Sequence, residues 1–266
     1  MYKEYFGLRE KPFGKTPDPR FLFLSKGHEE ALARLEYAVE EREIALLTGD
    51  VGCGKTTLSR ALMDRCGTGY RFVLIFNPRM GALEFLRTMA HGLEIEQPAR
   101  TKDDLLRQIT GRLYDLYRDN LCPVLVIDEA QTITELEVFD EIRLLTNYQM
   151  DDHNLISVLI MGQPELRSLL RYQPMEPLRQ RISLHFHLQP LSLEETMEYL
   201  DFRIVASGGV PGLFTPDAVQ AIYELSAGVP RRINAVATNA LLVAYGSDAA
   251  VIDASIIQEV RDEVTL

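Results

Sequence analysis

The sequence predicts an α/β fold in which a domain with a parallel β-sheet is followed by a small, all-helical domain. Between residues 44 and 188, short apolar runs alternate with segments of helical periodicity. This order indicates parallel strands joined by right-handed helical crossovers. After about Pro190 the strand patterns stop, and helical patterns follow one another to the C-terminus.

Five apolar runs are the predicted strands. The first four are apolar nearly throughout and rich in Ile, Val and Leu, as expected of strands that are buried on both faces. The runs are residues 44–47, 72–76, 124–127, 155–161 and 183–188. A sheet of five strands is therefore expected.

Candidate N-cap residues mark several helix starts. Their side chains can accept hydrogen bonds from the first backbone N–H groups of a helix. Three starts have capping-box spacing, and two more have a single N-cap residue, one of them followed by proline. The boxes are Thr101 with Asp104, Thr134 with Glu137 and Ser192 with Glu195, and the single caps are Thr215 and Asp253.

The predicted boundary between the two domains lies between residues 190 and 191. Residues 1–190 form the core that contains the sheet, and residues 191–266 form the helical domain. The first 26 or so residues are rich in aromatic and proline side chains, and proline keeps the backbone extended or turning. This segment is assigned to the core.

Composition and charge exclude several classes of protein. Of the 266 residues, 46% are hydrophobic and 25% are charged, which excludes a disordered or fibrous chain. The 28 Lys and Arg residues against 39 Asp and Glu residues give a net charge of -11, which disfavours broad, non-specific binding to nucleic acid. The three cysteines lack zinc-site or disulfide spacing, and no apolar run approaches the roughly 18 residues of a membrane span. We therefore expect a cytoplasmic chain.

The most specific motif is Gly49-Asp-Val-Gly-Cys-Gly-Lys55-Thr56, which matches the phosphate-binding loop pattern G-x-x-x-x-G-K-[ST]. It follows the first predicted strand and precedes a helical pattern. Its glycines let the backbone turn N–H groups inward, and the next helix presents its positive end to the phosphates. Lys55 should reach the β- and γ-phosphates, and Thr56 should bind Mg²⁺. The predicted nucleotide-binding residues are Gly49, Asp50, Val51, Gly52, Cys53, Gly54, Lys55, Thr56 and Thr57.

Two adjacent carboxylates end the third predicted strand. Asp128 can hold the Mg²⁺ shell, and Glu129 can polarise a water for attack on the γ-phosphate. The Glu after the Asp favours hydrolysis of the nucleotide over its use by a kinase, so a Mg²⁺-dependent ATPase is expected. Asn77 could hydrogen-bond Glu129 and restrain it, or could instead stabilise the Asn77-Pro78 turn.

Three arginines are candidates for stabilising the transition state. Arg179 and Arg181 come just before the last predicted strand, and Arg231 follows Gly228-Val-Pro in the helical part. An arginine opposite a γ-phosphate stabilises the charge of the transition state, and a neighbouring subunit can supply it. From residue type alone, an arginine is more often a surface residue.

Together these motifs resemble AAA+ ATPases and, more closely, the ExeA/GspA family, the ATPases of general secretion and related pilus-biogenesis systems. The resemblance covers essentially the whole chain. It rests on Phe6-Gly-Leu-Arg-Glu-Lys-Pro-Phe13, Thr16-Pro-Asp-Pro-Arg-Phe21, the phosphate-loop motif, Asp128-Glu-Ala-Gln131, Leu144-Leu-Thr-Asn147, Gly162-Gln-Pro-Glu-Leu166, Leu178-Arg-Gln-Arg-Ile182 and Gly228-Val-Pro-Arg-Arg-Ile-Asn234. It implies an AAA+ P-loop NTPase fold with a parallel five-stranded αβα core and a helical lid.

The resemblance also implies roles for individual residues. Gln163 falls at the family's first sensor, and Arg231 falls at the second sensor, which reaches the γ-phosphate from the lid. Arg181 falls at the arginine-finger position, with Arg179 as the alternative. Phe13 either lines the adenine side of the nucleotide or packs against the edge of the sheet.

The function implied by the resemblance is an oligomeric, ATP-hydrolysing motor or switch in secretion-system or pilus assembly. ATP or ADP with Mg²⁺ would bind between core and lid, and a second copy of the chain would supply an arginine in trans. Further partners would be envelope secretion or pilus proteins, whereas nucleic acid is not expected.

Two alternatives to this function are kept. One is a DNA-associated AAA+ regulator of the transposition-ATPase type, and the other is a nucleotide-gated binding module with little turnover. Longer members of the family continue into a membrane span and a peptidoglycan-binding region. This chain is therefore either a fragment or a short, stand-alone member, which would reach the inner membrane only through a partner or through residues beyond Leu266.

Overall fold

Five strands form a parallel sheet in the computed structural model of the chain, which describes residues 1–14, 19–150 and 153–264. Two further strands, β4 and β5, pair with each other as a short antiparallel hairpin. The strands are β1 (Ile44–Gly49), β2 (Tyr70–Ile75), β3 (Cys122–Ile127), β4 (Gln149–Met150), β5 (His153–Asn154), β6 (Ser157–Gly162) and β7 (Ile182–Leu188). The predicted α/β class with a five-stranded parallel sheet is confirmed.

The order of strands across the large sheet is β2-β3-β6-β1-β7. Every side chain of β1, β3 and β6 is buried, which agrees with their continuous Ile, Val and Leu runs. The register pairs Thr48 of β1 with Gly162 of β6, and Ile127 of β3 with Ile160 of β6. The carboxyl ends of these three strands therefore lie at one edge of the sheet.

The helices among the described residues connect these strands or follow them. They are α1 (Tyr2–Tyr5), α2 (Lys26–Glu40), α3 (Lys55–Cys66), α4 (Ala82–Gly92), α5 (Lys102–Arg118), α6 (Leu136–Leu145), α7 (Glu165–Leu170), α8 (Glu176–Arg179), α9 (Leu193–Ala206), α10 (Pro216–Ser226), α11 (Pro230–Gly246) and α12 (Ala254–Val264). None of the helices in the described part of the chain is long and apolar enough to cross a membrane.

Two of the three predicted capping boxes occupy helix starts. The Thr101 hydroxyl accepts a hydrogen bond from the backbone N–H of Asp104, and Ser192 forms a reciprocal box with Glu195. The box predicted for Thr134 is wrong, because α6 begins at Leu136 and Glu135 is its N-cap residue. The helix starts one residue later than a Thr134 cap would require.

The single caps also lie where the sequence places them. Thr215 is the N-cap residue of α10, with Pro216 in the first turn, although the Thr215 hydroxyl donates to the carbonyl of Ile252 rather than capping the helix. An Oδ1 atom of Asp253 accepts hydrogen bonds from the backbone N–H groups of Ser255 and Ile256 at the start of α12.

The chain divides into two units. The sheet unit comprises His28–Gly49 and Leu58–Leu188, and the helical unit comprises Met1–Gly27, Asp50–Thr57 and the residues from Gln189 onward. The core of the sheet unit packs apolar side chains of the strands against one face each of α4, α5 and α6. These three helices carry the buried apolar residues at helical spacing, as an amphipathic helix requires.

The helical unit includes the N-terminal segment, which the sequence analysis assigned to the core. Leu8 and Phe13 are buried in the apolar core that α9, α10, α11 and α12 share. The guanidinium of Arg203 in α9 donates to the carbonyl of Pro12 at 2.5 Å. The assignment of residues 1–26 to the sheet-containing core is therefore corrected. Residues 16–18 of the motif from Thr16 to Phe21 lie outside the described residues.

Candidate functional site

The phosphate-loop motif forms a tight turn between the end of β1 and the start of α3. Gly52 and Gly54 have φ angles of +88° and +100°, which L-amino acids with side chains rarely adopt. Lys55 is 4% exposed, and its ammonium donates to the carbonyl of Asp50 at 3.0 Å. The backbone N–H of Cys53 donates to the same carbonyl at 3.3 Å. The loop thus folds around its own lysine.

Arg231 packs directly against this loop within the helical unit. Its backbone N–H, in the first turn of α11, donates to the carbonyl of Gly52 at 3.3 Å. A Cβ atom on Gly52 would lie 2.5 Å from the Cβ of Arg231, so only glycine allows this approach. The structure therefore brings together the loop and the arginine of the Gly228-Val-Pro-Arg motif.

Cys53 lies in the phosphate loop and is shielded from solvent. Its side chain is buried, and burial raises the pKa of the thiol above its usual value, with a smaller contribution from the negative charge of Asp50. The thiol is therefore held in its neutral form at the centre of the loop. Cys53 behaves as a small apolar residue there.

Asp128 and Glu129 follow β3 at the carboxyl edge of the sheet. Asp128 is 3% exposed, and its Oδ1 accepts the backbone N–H of Glu129 at 2.9 Å. Glu129 is half-buried and has a φ angle of +56°, in the left-handed region that non-glycine residues seldom occupy. The left-handed conformation costs free energy, which the hydrogen bonds around Glu129 must offset.

The carboxylate of Glu129 is held by two glutamine amides. Its Oε2 accepts the Nε2–H of Gln131 at 2.6 Å and the Nε2–H of Gln163 at 3.0 Å. Gln163 directly follows β6 and contacts Glu129, while its role as the first sensor stays a prediction. Asn77 was a candidate to hydrogen-bond the carboxylate of Glu129, but Gln131 and Gln163 make these hydrogen bonds instead. Asn77 is exposed. The alternative prediction, that Asn77 stabilises the turn at Asn77-Pro78, therefore remains.

The two arginines before β7 differ in their surroundings. Arg179 forms an ion pair with Glu176 one turn earlier in α8. Arg181 is exposed, and it donates to the hydroxyl of Thr146 at 2.8 Å and to the carbonyl of Arg143 at 3.4 Å. Among the ion pairs of the described residues, none joins Arg181 to a carboxylate.

Phe13 has a packing role in the helical unit. Its ring centroid lies 6.1 Å from that of Phe214, and the guanidinium of Arg203 lies 5.9 Å from it. Packing of Phe13 against the edge of the sheet is therefore wrong, because its partners belong to the helical unit. The adenine-side position of Phe13 stays a prediction.

The Mg²⁺ candidates, Thr56 and Asp128, supply one hydroxyl and one buried carboxylate. Mg²⁺ in nucleotide sites is typically held by one or two carboxylates together with phosphates and waters. Among the residues that the structure describes, no group of three or more His, Cys, Asp and Glu side chains could hold a metal ion. Thr56 and Asp128 belong to different units, and their binding of Mg²⁺ stays a prediction.

Sequence reasoning assigned no role to Gln131 or to Thr146. Both lie in motifs that carry the resemblance, Asp128-Glu-Ala-Gln131 and Leu144-Leu-Thr-Asn147. Gln131 contacts Gln163 and Thr146 contacts Arg181, each more than 30 positions away in the chain, so local sequence patterns contain no signal for these two contacts.

A comparison with protein-family models matches residues 38–170, half of the chain, to an AAA domain. The chain is also 38% identical over 254 residues to "General secretion pathway protein A" of Aeromonas hydrophila. This alignment covers 92% of the chain and 45% of the relative, so the chain spans less than half of that protein. The resemblance found in the sequence is confirmed.

Several solved structures share the fold at low sequence identity. The ORC2 protein of Aeropyrum pernix, in ADPNP and ADP complexes, matches with a TM-score of 0.71 at 18% identity, over 96% of this chain and 71% of that one. Cdc6p of Pyrobaculum aerophilum gives 0.70 at 21% identity, over 94% and 71%. The RuvB Holliday junction branch migration motor of Thermotoga maritima gives 0.61 at 18%, over 91% and 70%.

Proposed function

Because the chain belongs to the AAA domain family, we propose that it binds and hydrolyses ATP and acts as an oligomeric motor or switch. The observation that carries the proposal is the phosphate loop, folded around Lys55 with Arg231 packed on Gly52. This arrangement gathers a lysine, an arginine, the N-terminus of α3 and a glycine-rich backbone. Such groups together favour a nucleoside triphosphate as ligand.

ATP fits the loop through charge and backbone geometry. Lys55 now donates to a backbone carbonyl, and it would exchange that neutral acceptor for the β- and γ-phosphates. Arg231, at the start of α11, would add its positive charge near the γ-phosphate. Residues Gly49 to Thr57 would surround the phosphates, and Phe13 is proposed on the adenine side.

Hydrolysis would depend on the carboxylates at the edge of the sheet. Thr56 and Asp128 would hold Mg²⁺, which would neutralise phosphate charge when bound. Glu129 would act as the base that takes a proton from the attacking water. Gln163, which contacts Glu129, would act as the first sensor.

A second copy of the chain would supply an arginine to complete the reaction. Arg181 is the better candidate than Arg179, because Glu176 already neutralises Arg179 whereas Arg181 is exposed and bonded to neutral oxygens. An arginine in trans stabilises the charge on the transferring phosphoryl group. Activity should then depend on self-assembly.

The biological setting is proposed from the relative named above. A similarity to General secretion pathway protein A supports a role in envelope secretion or in pilus assembly, with proteins of those systems as partners. A cytoplasmic location, with access to the inner membrane through a partner, is proposed with it. The net charge of -11 weighs against the DNA-associated alternative.

Two substitutions test the proposed ATPase activity. Glu129→Gln should lower kcat by about 10²- to 10⁴-fold because it removes the base, while ATP affinity stays close to that of the wild type. Lys55→Ala should instead weaken ATP binding by at least about tenfold, because it removes a charged donor. Steady-state phosphate release and ATP titration measure the two effects.

Glu137→Gln is the matched control, since Glu137 is exposed in the first turn of α6. It should leave both quantities unchanged. A Glu129→Gln variant that hydrolyses ATP at the wild-type rate would contradict the proposal. Tight ATP binding without turnover in the wild type would instead favour the nucleotide-gated binding module.

A further inference from the structure

We infer that Gln131 is a positioning residue that fixes the carboxylate of Glu129 for its role as the base, an inference that rests on the proposed ATPase activity. Gln131 lies two residues after Glu129, in the 3₁₀ turn Ala130–Thr132. Its side-chain amide contacts both Glu129 and the backbone N–H of Gln163, which directly follows β6. It therefore links the base to the first sensor position.

The backbone of Glu129 is fixed on both sides. Its N–H donates to Oδ1 of Asp128 at 2.9 Å, and its carbonyl accepts the backbone N–H and the hydroxyl of Thr132, each at 2.8 Å. With the backbone held in a left-handed conformation, rotation of the Glu129 side chain is the remaining freedom. The groups that hydrogen-bond the Glu129 carboxylate therefore determine its orientation.

Gln131 and Gln163 remove that freedom together. Both Nε2 groups donate to the same oxygen, Oε2 of Glu129, at 2.6 Å and 3.0 Å. The Oε1 atom of Gln131 accepts the backbone N–H of Gln163 at 3.0 Å, which fixes the orientation of the Gln131 amide. Oε1 of Glu129 receives no hydrogen bond of this network, so it is the oxygen that can take a proton from water.

Gly162 makes room for this arrangement. A Cβ atom on Gly162, the last residue of β6, would lie 2.7 Å from Oε1 of Gln131 and 2.7 Å from Cδ2 of Leu166. The side chains of Gln131 and Leu166 therefore occupy the space that any other residue at position 162 would fill. Their positions account for the glycine of the Gly162-Gln-Pro motif.

The test removes the Gln131 amide while keeping its size. Gln131→Met should lower kcat for ATP by about 10- to 100-fold, because a base displaced by a fraction of an ångström to 1 Å loses this much rate. The ATP dissociation constant should stay within about twofold of the wild-type value, because Gln131 is not assigned to ATP binding. Phosphate release and ATP titration are measured on the full chain.

Gln220→Met is the matched control. Gln220 is exposed on α10 and donates to Glu224 at 2.7 Å, so the substitution removes a similar glutamine-to-glutamate hydrogen bond elsewhere. It should leave kcat unchanged. Wild-type kcat in Gln131→Met, or a fall in kcat matched by an equal loss of ATP affinity, would overturn the inference.

A second variant reaches the same carboxylate without changing Gln131. In the wild-type protein, Gly162→Ala should displace the Gln131 amide and lower kcat. In protein that already carries Gln131→Ala, the same substitution should lower kcat little further, because the amide is absent. Fully additive losses in this double-mutant cycle would overturn the inference. Gly111→Ala on α5, where nothing lies within 4 Å of the added methyl group, serves as the control.

The inference and the proposed function fail in different ways. Wild-type protein without Glu129-dependent turnover contradicts the ATPase proposal and the inference with it. Glu129-dependent turnover that survives both Gln131→Met and Gly162→Ala contradicts the inference alone.

Discussion

At the scale of single residues, the contact between Gly52 and Arg231 links the phosphate loop to α11. The loop backbone needs glycine at position 52 for two separate reasons. The φ angle of +88° disfavours any side chain, and a Cβ atom would collide with Arg231. The close approach therefore couples the conformation of the loop to the position of this arginine.

A prediction separates these two reasons. Gly212→Ala, at φ +83° with nothing within 4 Å of the added methyl group, should cost about 1–2 kcal/mol of unfolding free energy from backbone strain alone. Gly52→Ala should cost about 1–3 kcal/mol more, because it also overpacks against Arg231, and it should weaken ATP binding. Urea unfolding and ATP titration measure both variants. Equal losses of unfolding free energy in the two variants would show that the contact with Arg231 adds no cost to Gly52→Ala.

The sequence predicts those site residues whose chemistry is local. Lys55, Thr56, Asp128 and Glu129 follow from short motifs and from the strands before them. The amide network around Glu129 could not be found in this way, because Gln131 and Gln163 lie 32 residues apart and meet only when β3 and β6 pair. Asn77 was considered from sequence because it directly follows the second apolar run, residues 72–76.

At the scale of elements, the sequence predicted the strands that have long apolar runs and missed those that are short. The five strands of the large sheet each carry six or seven residues, whereas β4 and β5 carry two each and show no pattern. The start of α6 was misplaced because Thr134 and Glu137 have capping-box spacing that the backbone does not use.

The N-terminal segment was misassigned for a different physical reason. Its packing depends on long-range contacts, and Arg203 makes the clearest of them, with Pro12 in a hydrogen bond and with Phe21 at 4.8 Å in a cation–π contact. No local pattern in residues 1–26 distinguishes a partner in α9 from one in the sheet. Only the folded chain reveals it.

The capping assignments give a prediction at the scale of one helix turn. Ser192→Ala should lower the free energy of unfolding by about 1 kcal/mol, because it removes the acceptor for the backbone N–H of Glu195. Thr134→Ala should change it by less than about 0.5 kcal/mol, since Thr134 is exposed and caps no helix. Chemical denaturation at one pH compares them. A larger loss for Thr134→Ala than for Ser192→Ala would mean that α6 starts elsewhere.

At the scale of the whole molecule, each unit holds part of the set of residues proposed for ATP hydrolysis. The helical unit contains the loop from Asp50 to Thr57 and Arg231, and the sheet unit contains Asp128, Glu129, Gln163 and Arg181. Arg181 is bound at the carboxyl end of α6 through Thr146, a buried residue. This support holds an exposed arginine in one place, as the proposed role of Arg181 in trans requires.

We propose that ATP hydrolysis needs an arginine from a second copy of the chain. The most direct test measures ATPase rate against protein concentration for the wild type, Arg181→Ala and the matched variant Arg179→Ala, with sedimentation of the same samples. We expect a specific rate that rises with assembly and is lost in Arg181→Ala by about 10³-fold or more, with ATP binding retained. Arg179→Ala should keep most of the activity. A high specific rate that is independent of protein concentration, or full activity in Arg181→Ala, would contradict the account.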